Sequence, residues 1–226
     1  MRRAPGVTAA RLTVNRMPVT VFITPPHLGA LRGVFLDNEY NLSKVLPDIR
    51  PATILDLGAN VGMAAVYLHA LYPDVHIACV EPDPRNLKLL EQTIATNRVN
   101  VTLVQGAVAA EAGRLRLRMG DNPTCSALET SPMHKLDSSV EVDVFTVPQL
   151  LERLGWKSVD LLKVDIEGTE QELFARNNNW LHKVGAIVLE IHPNTSPEEI
   201  GEYLVPFGFR LRRLGHGAEP VYIADK

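Results

Sequence analysis

Thr53-Ile-Leu-Asp-Leu-Gly-Ala-Asn-Val-Gly62 is the stretch whose reading decides the fold. The apolar residues Ile54, Leu55 and Leu57 read as a short buried strand, with Asp56 near its end and a small-residue turn behind it. Residues 61–72 then stay apolar over most of a helical surface until Pro73 stops them. A strand that passes through such a turn into a helix brings backbone close to a small ligand and aims free N–H groups at it.

Working outward, the same rhythm repeats. Residues 75–80 form a second buried run that ends at Glu81-Pro82. Residues 84–97 are amphipathic, with Leu87, Leu90 and Ile94 at helical spacing and Pro84 in the first turn. Residues 101–105 form a third strand, 159–164 a fourth ending at Asp165, and 186–191 a fifth ending at Glu190-Ile-His192. Helices are expected over 169–176 and from Ser196, whose spacing to Glu199 is that of a capping box. Apolar strands alternating with helices predict an α/β fold with a mostly parallel sheet covered on both faces. A terminal antiparallel hairpin is expected from 207–214 and 220–224, joined through Gly215-His-Gly217.

Two regions break the rhythm. Residues 1–50 read as an N-terminal extension, with one strand near 19–24 and short helices behind Pro25-Pro26, and are expected to act as a lid on the main domain, 51–226. Within that domain, Arg114, Arg116 and Arg118 alternate with leucine as a strand with one wet face, residues 119–139 read as a loop over the site, 140–147 alternates again, and 148–154 is a short helix.

The chain has 226 residues, 46% of them hydrophobic and 22% charged, the profile of a globular enzyme. A net charge of −3 gives no electrostatic reason to expect nucleic acid or a membrane surface as partner. The opening Met-Arg-Arg-Ala-Pro-Gly has no apolar run behind it, so no secretory signal is expected, and the expected location is the cytoplasm. Cys79 reads as core and Cys125 as a loop residue. Nothing in the residue pattern fixes an oligomeric state.

The first turn lacks the glycines of a dinucleotide fingerprint: with Gly58 as the first, Asn60 and Met63 occupy the other two positions. Backbone cannot approach a pyrophosphate there as closely, and Asp56 would repel a phosphate and suit an amino group. As a plain strand–helix turn, Asn60 would cap the helix. Glu81, at the end of the next strand, stands where an acid accepts ribose hydroxyls in doubly wound folds. An adenosine with a cationic amino acid end fits both, which is S-adenosylmethionine.

The chain resembles class I methyltransferases, and within them the FkbM family. The resemblance runs from about residue 53 to residue 193. It is carried by Asp56-Leu-Gly-Ala-Asn-Val-Gly62, Val80-Glu-Pro-Asp83, Leu161-Leu-Lys-Val-Asp-Ile-Glu-Gly-Thr-Glu170 and Val188-Leu-Glu-Ile-His192. It implies a Rossmann-like, seven-stranded sheet, S-adenosylmethionine as methyl donor, and O-methylation of a small-molecule acceptor such as a sugar or natural-product hydroxyl. By that resemblance Asp56, Gly58, Ala59, Asn60 and Gly62 line the methionine end, Glu81 and Pro82 the ribose, and Gly106 and Ala107 the adenine. Where the family usually reads Thr-Leu-Asp before the fourth strand, this chain has Thr146-Val-Pro148.

Methyl transfer is an in-line displacement on an already activated sulfonium, so the protein must place the nucleophile and take its proton. Asp165, which also faces the donor, Lys163 with a pKa lowered by burial, Glu190 and His192 are the candidate bases. Lys163 in an internal ion pair with Asp165 or Glu190 is the structural alternative. Asp165, Glu167 and Glu190 could gather Mg²⁺, but their spacing is no metal signature and no metal is expected. The arginine stripe reads as a solvated edge, His69 as packing, Ser126 as a donor or acceptor contact, and Asn38, Glu39 and Tyr40 as closing over the donor. Carboxylate methylation, and nucleoside binding without turnover, are the rival functions.

Overall fold

The computed structural model describes residues 6–42, 45–120, 122–132, 138–214 and 220–226. The chain opens with an antiparallel hairpin, β1 (Thr8–Val14) and β2 (Met17–Ile23), where the sequence predicts a single strand. Its two-residue turn is Asn15-Arg16, both at positive φ, and Arg at such a position is not a turn signal. Helix α1 (Leu28–Phe35) follows a 3₁₀ turn at Pro25–His27.

The central sheet takes β3 (Thr53–Leu57), β4 (His76–Glu81) and β5 (Val101–Gln105) to one side, linked by helices α2 (Met63–Leu71) and α3 (Pro84–Asn97). Next come β6 (Ala107–Val108), β7 (Gly113–Met119), β8 (Ala127–Leu128), β9 (Ser138–Phe145) and helix α4 (Val147–Leu154). The chain then returns to the sheet with β10 (Val159–Val164), α5 (Glu170–Ala175), β11 (Val184–Glu190), α6 (Pro197–Leu204), β12 (Arg210–Leu214) and β13 (Val221–Asp225). The strand order is β12-β13-β11-β10-β3-β4-β5. The five strands from β11 to β5 run parallel, while β13 is antiparallel to both β11 and β12. The expected terminal hairpin is therefore present, and its second strand inserts beside β11. The expected joint at 215–217 lies outside the described residues.

Alternation along each strand divides the core. Ile54, Ile77, Leu161 and Val188 pack on α2, α3 and the N-terminal hairpin; Leu55, Leu162, Ile187 and Leu189 pack on α4, α5 and α6. The edge of β2 is covered by α3: Thr20 N–H donates to Asn97 Oδ1 (2.8 Å), Asn97 Nδ2 to Thr20 O (2.6 Å), and Phe22 N–H to Thr93 Oγ1 (3.1 Å).

The stretch 107–145, expected as two strands and a loop, is a second sheet in the order β6-β9-β7-β8 with its own small core of Leu117, Leu128, Val142 and Val144. Arg114 lies on its exposed face, paired with Glu141 (2.9 Å) and Asp143 (3.2 Å). Thr146-Val-Pro148 starts α4: Thr146 and Gln149 form a reciprocal capping box with Pro148 in the first turn. At α6 half of the expected box forms. Ser196 Oγ accepts from Glu199 N–H, while the Glu199 carboxylate turns to Thr195 and Gln171. Among the described residues no helix is long and apolar enough to cross a membrane.

Candidate active site

The strand order reverses between β3 and β10, and ligands of open α/β sheets bind outside the carboxyl ends of strands at such a point. Two adjoining clefts open there. The first runs along Gly58, Glu81, Pro82, Gly106 and Ala107 at the ends of β3, β4 and β5. The second lies between the N-terminal segment (Pro26, Glu39, Tyr40) and the end of β11 (Glu190, His192). Asn60, Thr124, Asp165 and Glu167 line both.

The turn after β3 is set by close approach. Gly58 has φ +78, and a Cβ there would overlap the Asp165 carbonyl oxygen, so only glycine lets β3 and β10 end this close together. Asn60 also has positive φ and does not cap the helix, the role it would have in a plain strand–helix turn. The N-cap of α2 is Gly62, at φ +85, and the buried Asn60 Oδ1 has no hydrogen-bond partner among the described residues. Gly62 lines neither cleft. A Cβ there would come within 2.6 Å of Leu90 Cδ1, so this glycine serves the packing of α2 on α3. Ala59 faces the second cleft, and its N–H is spent on Val80 O (3.0 Å).

Asp56 departs most from expectation. It is fully buried and lines neither cleft. Register pairs it with Lys163 on β10, whose Nζ lies 3.1 Å from Asp56 Oδ1, 3.4 Å from Asp165 Oδ2 and 2.7 Å from Gly58 O. Burial pushes the Asp56 carboxyl up and Lys163 pulls it back. Burial also opposes charge on Lys163, but Asp56 and Asp165 outweigh it and raise the ammonium well above its ordinary value. The expected lowering is thus reversed. Lys163 is a cation bridging two strand ends and not a neutral amine ready to take a proton.

Glu81 is 4% exposed, and its carboxylate is held by the backbone. Asn60 N–H donates to Oε2 (2.8 Å), and Asp83 N–H to Oε1 (2.9 Å), with Asn86 Nδ2 at 3.3 Å. Burial raises its pKa to about 7 despite these donors. Gly106 N–H donates to Glu81 O (3.1 Å), joining the turn after β5 to the turn after β4. Ser126, expected near donor or acceptor, lines the first cleft and donates to Asp83 Oδ2 (2.7 Å).

At the far side His192 is nearly buried. Its Nδ1 lies 2.9 Å from Glu170 Oε1, and its Nε2 lies 3.6 Å from Glu167 and 3.7 Å from Glu190. Burial alone would lower its pKa, but the Glu170 hydrogen bond and the field of Glu170, Asp165 and Glu167 raise it to about 10. At neutral pH it is an imidazolium, which cannot serve as the expected base. Tyr40 is buried in the second cleft, and burial raises its hydroxyl well above the usual value. Asn38 instead accepts from Tyr67 OH (3.2 Å). Asp165, Glu190 and His192 each bring one ligand-type atom within 4.8 Å of the others, a geometry a metal ion could use. Sequence reasoning passed over Asn86, Asp83 and Glu170. Asn86 and Asp83 follow Glu81 closely in the chain, and Glu170 closes the quoted 161–170 motif.

A family model, the methyltransferase FkbM domain, matches residues 56–211. The chain belongs to the FkbM methyltransferase family. It is 24% identical over 192 residues to the 31-O-demethyl-FK506 methyltransferase FkbM of Streptomyces tacrolimicus, covering 71% of this chain and 73% of that one. It is 26% identical over 213 residues to methyltransferase sdnD of Sordaria araneosa, covering 80% and 81%. The crystal structure of methyltransferase FkbM from Methylobacillus flagellatus KT superposes with a TM-score of 0.56 at 16% identity, over 76% of this chain and 43% of that one. The FkbM chain described here is thus an S-adenosylmethionine-dependent methyltransferase with the class I, Rossmann-like fold.

Proposed function

We propose that this FkbM-family enzyme methylates a hydroxyl oxygen of a small molecule, with the donor in the first cleft and the acceptor in the second. The observation that carries this is the junction: Asp165 lines both clefts, so one carboxylate can face the sulfonium side and the nucleophile side together. Glu81 and Pro82 would hold the ribose, Gly106 and Ala107 the adenine side, and Gly58 and Asn60 the methionine end. The unpartnered Asn60 Oδ1 suits a donor group on that end.

Lys163 and His192 are cations in this site, which leaves the carboxylates of Asp165 and Glu190 to take the hydroxyl proton as the oxygen attacks. Asp165 is the better placed. Lys163 and His192 would steady the charge around it. The second cleft also carries Glu39, Glu167 and Glu190, a lining that disfavours an anionic acceptor and so weighs against ester formation on a carboxylate. A bound metal is not invoked, because a carboxylate already stands at the junction; turnover undiminished by EDTA is the expected result.

The likeness to a relative named for 31-O-demethyl-FK506 supports an oxygen acceptor on a natural product. We further propose that the N-terminal 50 residues wall the acceptor cleft as a lid, that nucleic acid is not the acceptor, and that the enzyme works in the cytoplasm. Donor-consumption assays against sugars and polyketide hydroxyls, with a carboxylic acid panel and an RNA control, test the reading. Turnover of acids or RNA with none of hydroxyls would refute it.

A further inference from the structure

Asn86, in the first turn of α3, is 2% exposed and joins three segments far apart in sequence. Its Oδ1 lies 3.2 Å from His27 Nε2, while its Nδ2 lies 3.0 Å from Pro123 O and 3.3 Å from Glu81 Oε1. The orientation of this amide is dictated from the His27 end. Thr24 N–H donates to His27 Nδ1 (3.2 Å), and the Thr24 hydroxyl lies 2.8 Å from the same nitrogen. A ring nitrogen that accepts a backbone N–H carries no proton. Burial also holds the ring below its ordinary pKa, so His27 is neutral at pH 7 with its proton on Nε2. That N–H donates to Asn86 Oδ1, which turns the Asn86 nitrogen, as donor, toward Glu81 and Pro123.

We propose that His27 and Asn86 are positioning residues that fix the Glu81 carboxylate for the donor ribose and couple it to the N-terminal segment walling the acceptor cleft. This rests on the donor assignment of the proposed function. Among the described residues Asn86 is the side chain that donates to Glu81; the other two donors are backbone N–H groups, which no substitution removes. His27 is fully buried, and its neighbours Pro26, Gly29 and Ala30 line the acceptor cleft. A shift of that wall is therefore felt at Glu81 through two hydrogen bonds.

The test is calorimetric titration of the full chain with S-adenosylhomocysteine across pH 6–9, with melting followed in parallel. N86D sets a second carboxylate against Glu81. It is expected to weaken binding about tenfold and to move the pH midpoint of binding above the wild-type value near 7. H27F leaves the Glu81 shell untouched but removes the donor to Asn86, and is expected to weaken binding several-fold. H27Q, which keeps an N–H at the Nε2 position, is expected to recover most of it. Wild-type binding with H27F and N86D unchanged in affinity and pH midpoint overturns the relay. Equal losses in H27F and H27Q, tracking a fall in melting temperature, overturn it as well. A wild-type protein that does not bind the probe refutes the donor assignment itself, and is distinguishable from both.

Discussion

The two clefts are built on different principles. The first cleft, proposed for the donor, is walled by the carboxyl ends of β3, β4 and β5 and the turns behind them, and two of the three donors to its Glu81 are backbone, Asn60 N–H and Asp83 N–H, with Asn86 Nδ2 the third. The second, proposed for the acceptor, is assembled from segments around Pro26, Tyr40, Cys125, His192 and Tyr222, and its His192 is held by a side chain, that of Glu170. Strand register makes the first cleft a property of the fold. The second depends on which segments are added to that fold.

The sharpest way to break this division is at the junction. D165N should cut turnover about 10²–10⁴-fold, the range for loss of a general base, while S-adenosylhomocysteine affinity changes far less; stopped-donor assays and calorimetry on one preparation separate the two. Next in size is K163M. It strands the buried carboxylate of Asp56 and should cost about 3–5 kcal/mol of stability, read by urea unfolding. D56N with K163M should recover part of that loss, because no buried charge then stands alone.

A smaller effect follows from Glu81. Its folded pKa of about 7 stands above its ordinary value of 4.5, so its contribution to ligand-free stability is complete below pH 4.5 and is lost as pH rises through 7. A ribose donating to the carboxylate favours the ionised form. Donor affinity should therefore rise by about tenfold from pH 6 to pH 8, with a proton released on binding, seen as a buffer-dependent enthalpy. The smallest effect belongs to R114A. Its ion pairs with Glu141 and Asp143 are exposed, so melting should shift by no more than about 1 kcal/mol equivalent.

The parallel sheet and the strand ends that wall the first cleft were legible because both are local in sequence. Leu57, Gly58 and Glu81 announce strand ends by apolar runs that stop at acids and small residues. The ion pair of Lys163 with Asp165 was legible as the structural alternative, but the one with Asp56 was not, because Asp56 meets Lys163 only through the β3–β10 register, 107 positions apart as Thr53 and Asp160 are. The charge state of His192 was hidden in the same way: Glu170, which favours its protonated form, lies on a different element. The second sheet escaped notice because β6 and β8 have two residues each, too few for a periodic signal. His27 carried no motif, and its role depends on a partner on α3.

The position of β13 has a consequence for how the enzyme is made. The final strand of the sheet lies between β11 and β12 and hydrogen-bonds to both. Until residues 221–225 leave the ribosome, β11 presents an open edge right beside the strand that carries Lys163. A chain emerging from the ribosome therefore holds an unfinished, aggregation-prone seam until residues 221–225 dock between β11 and β12.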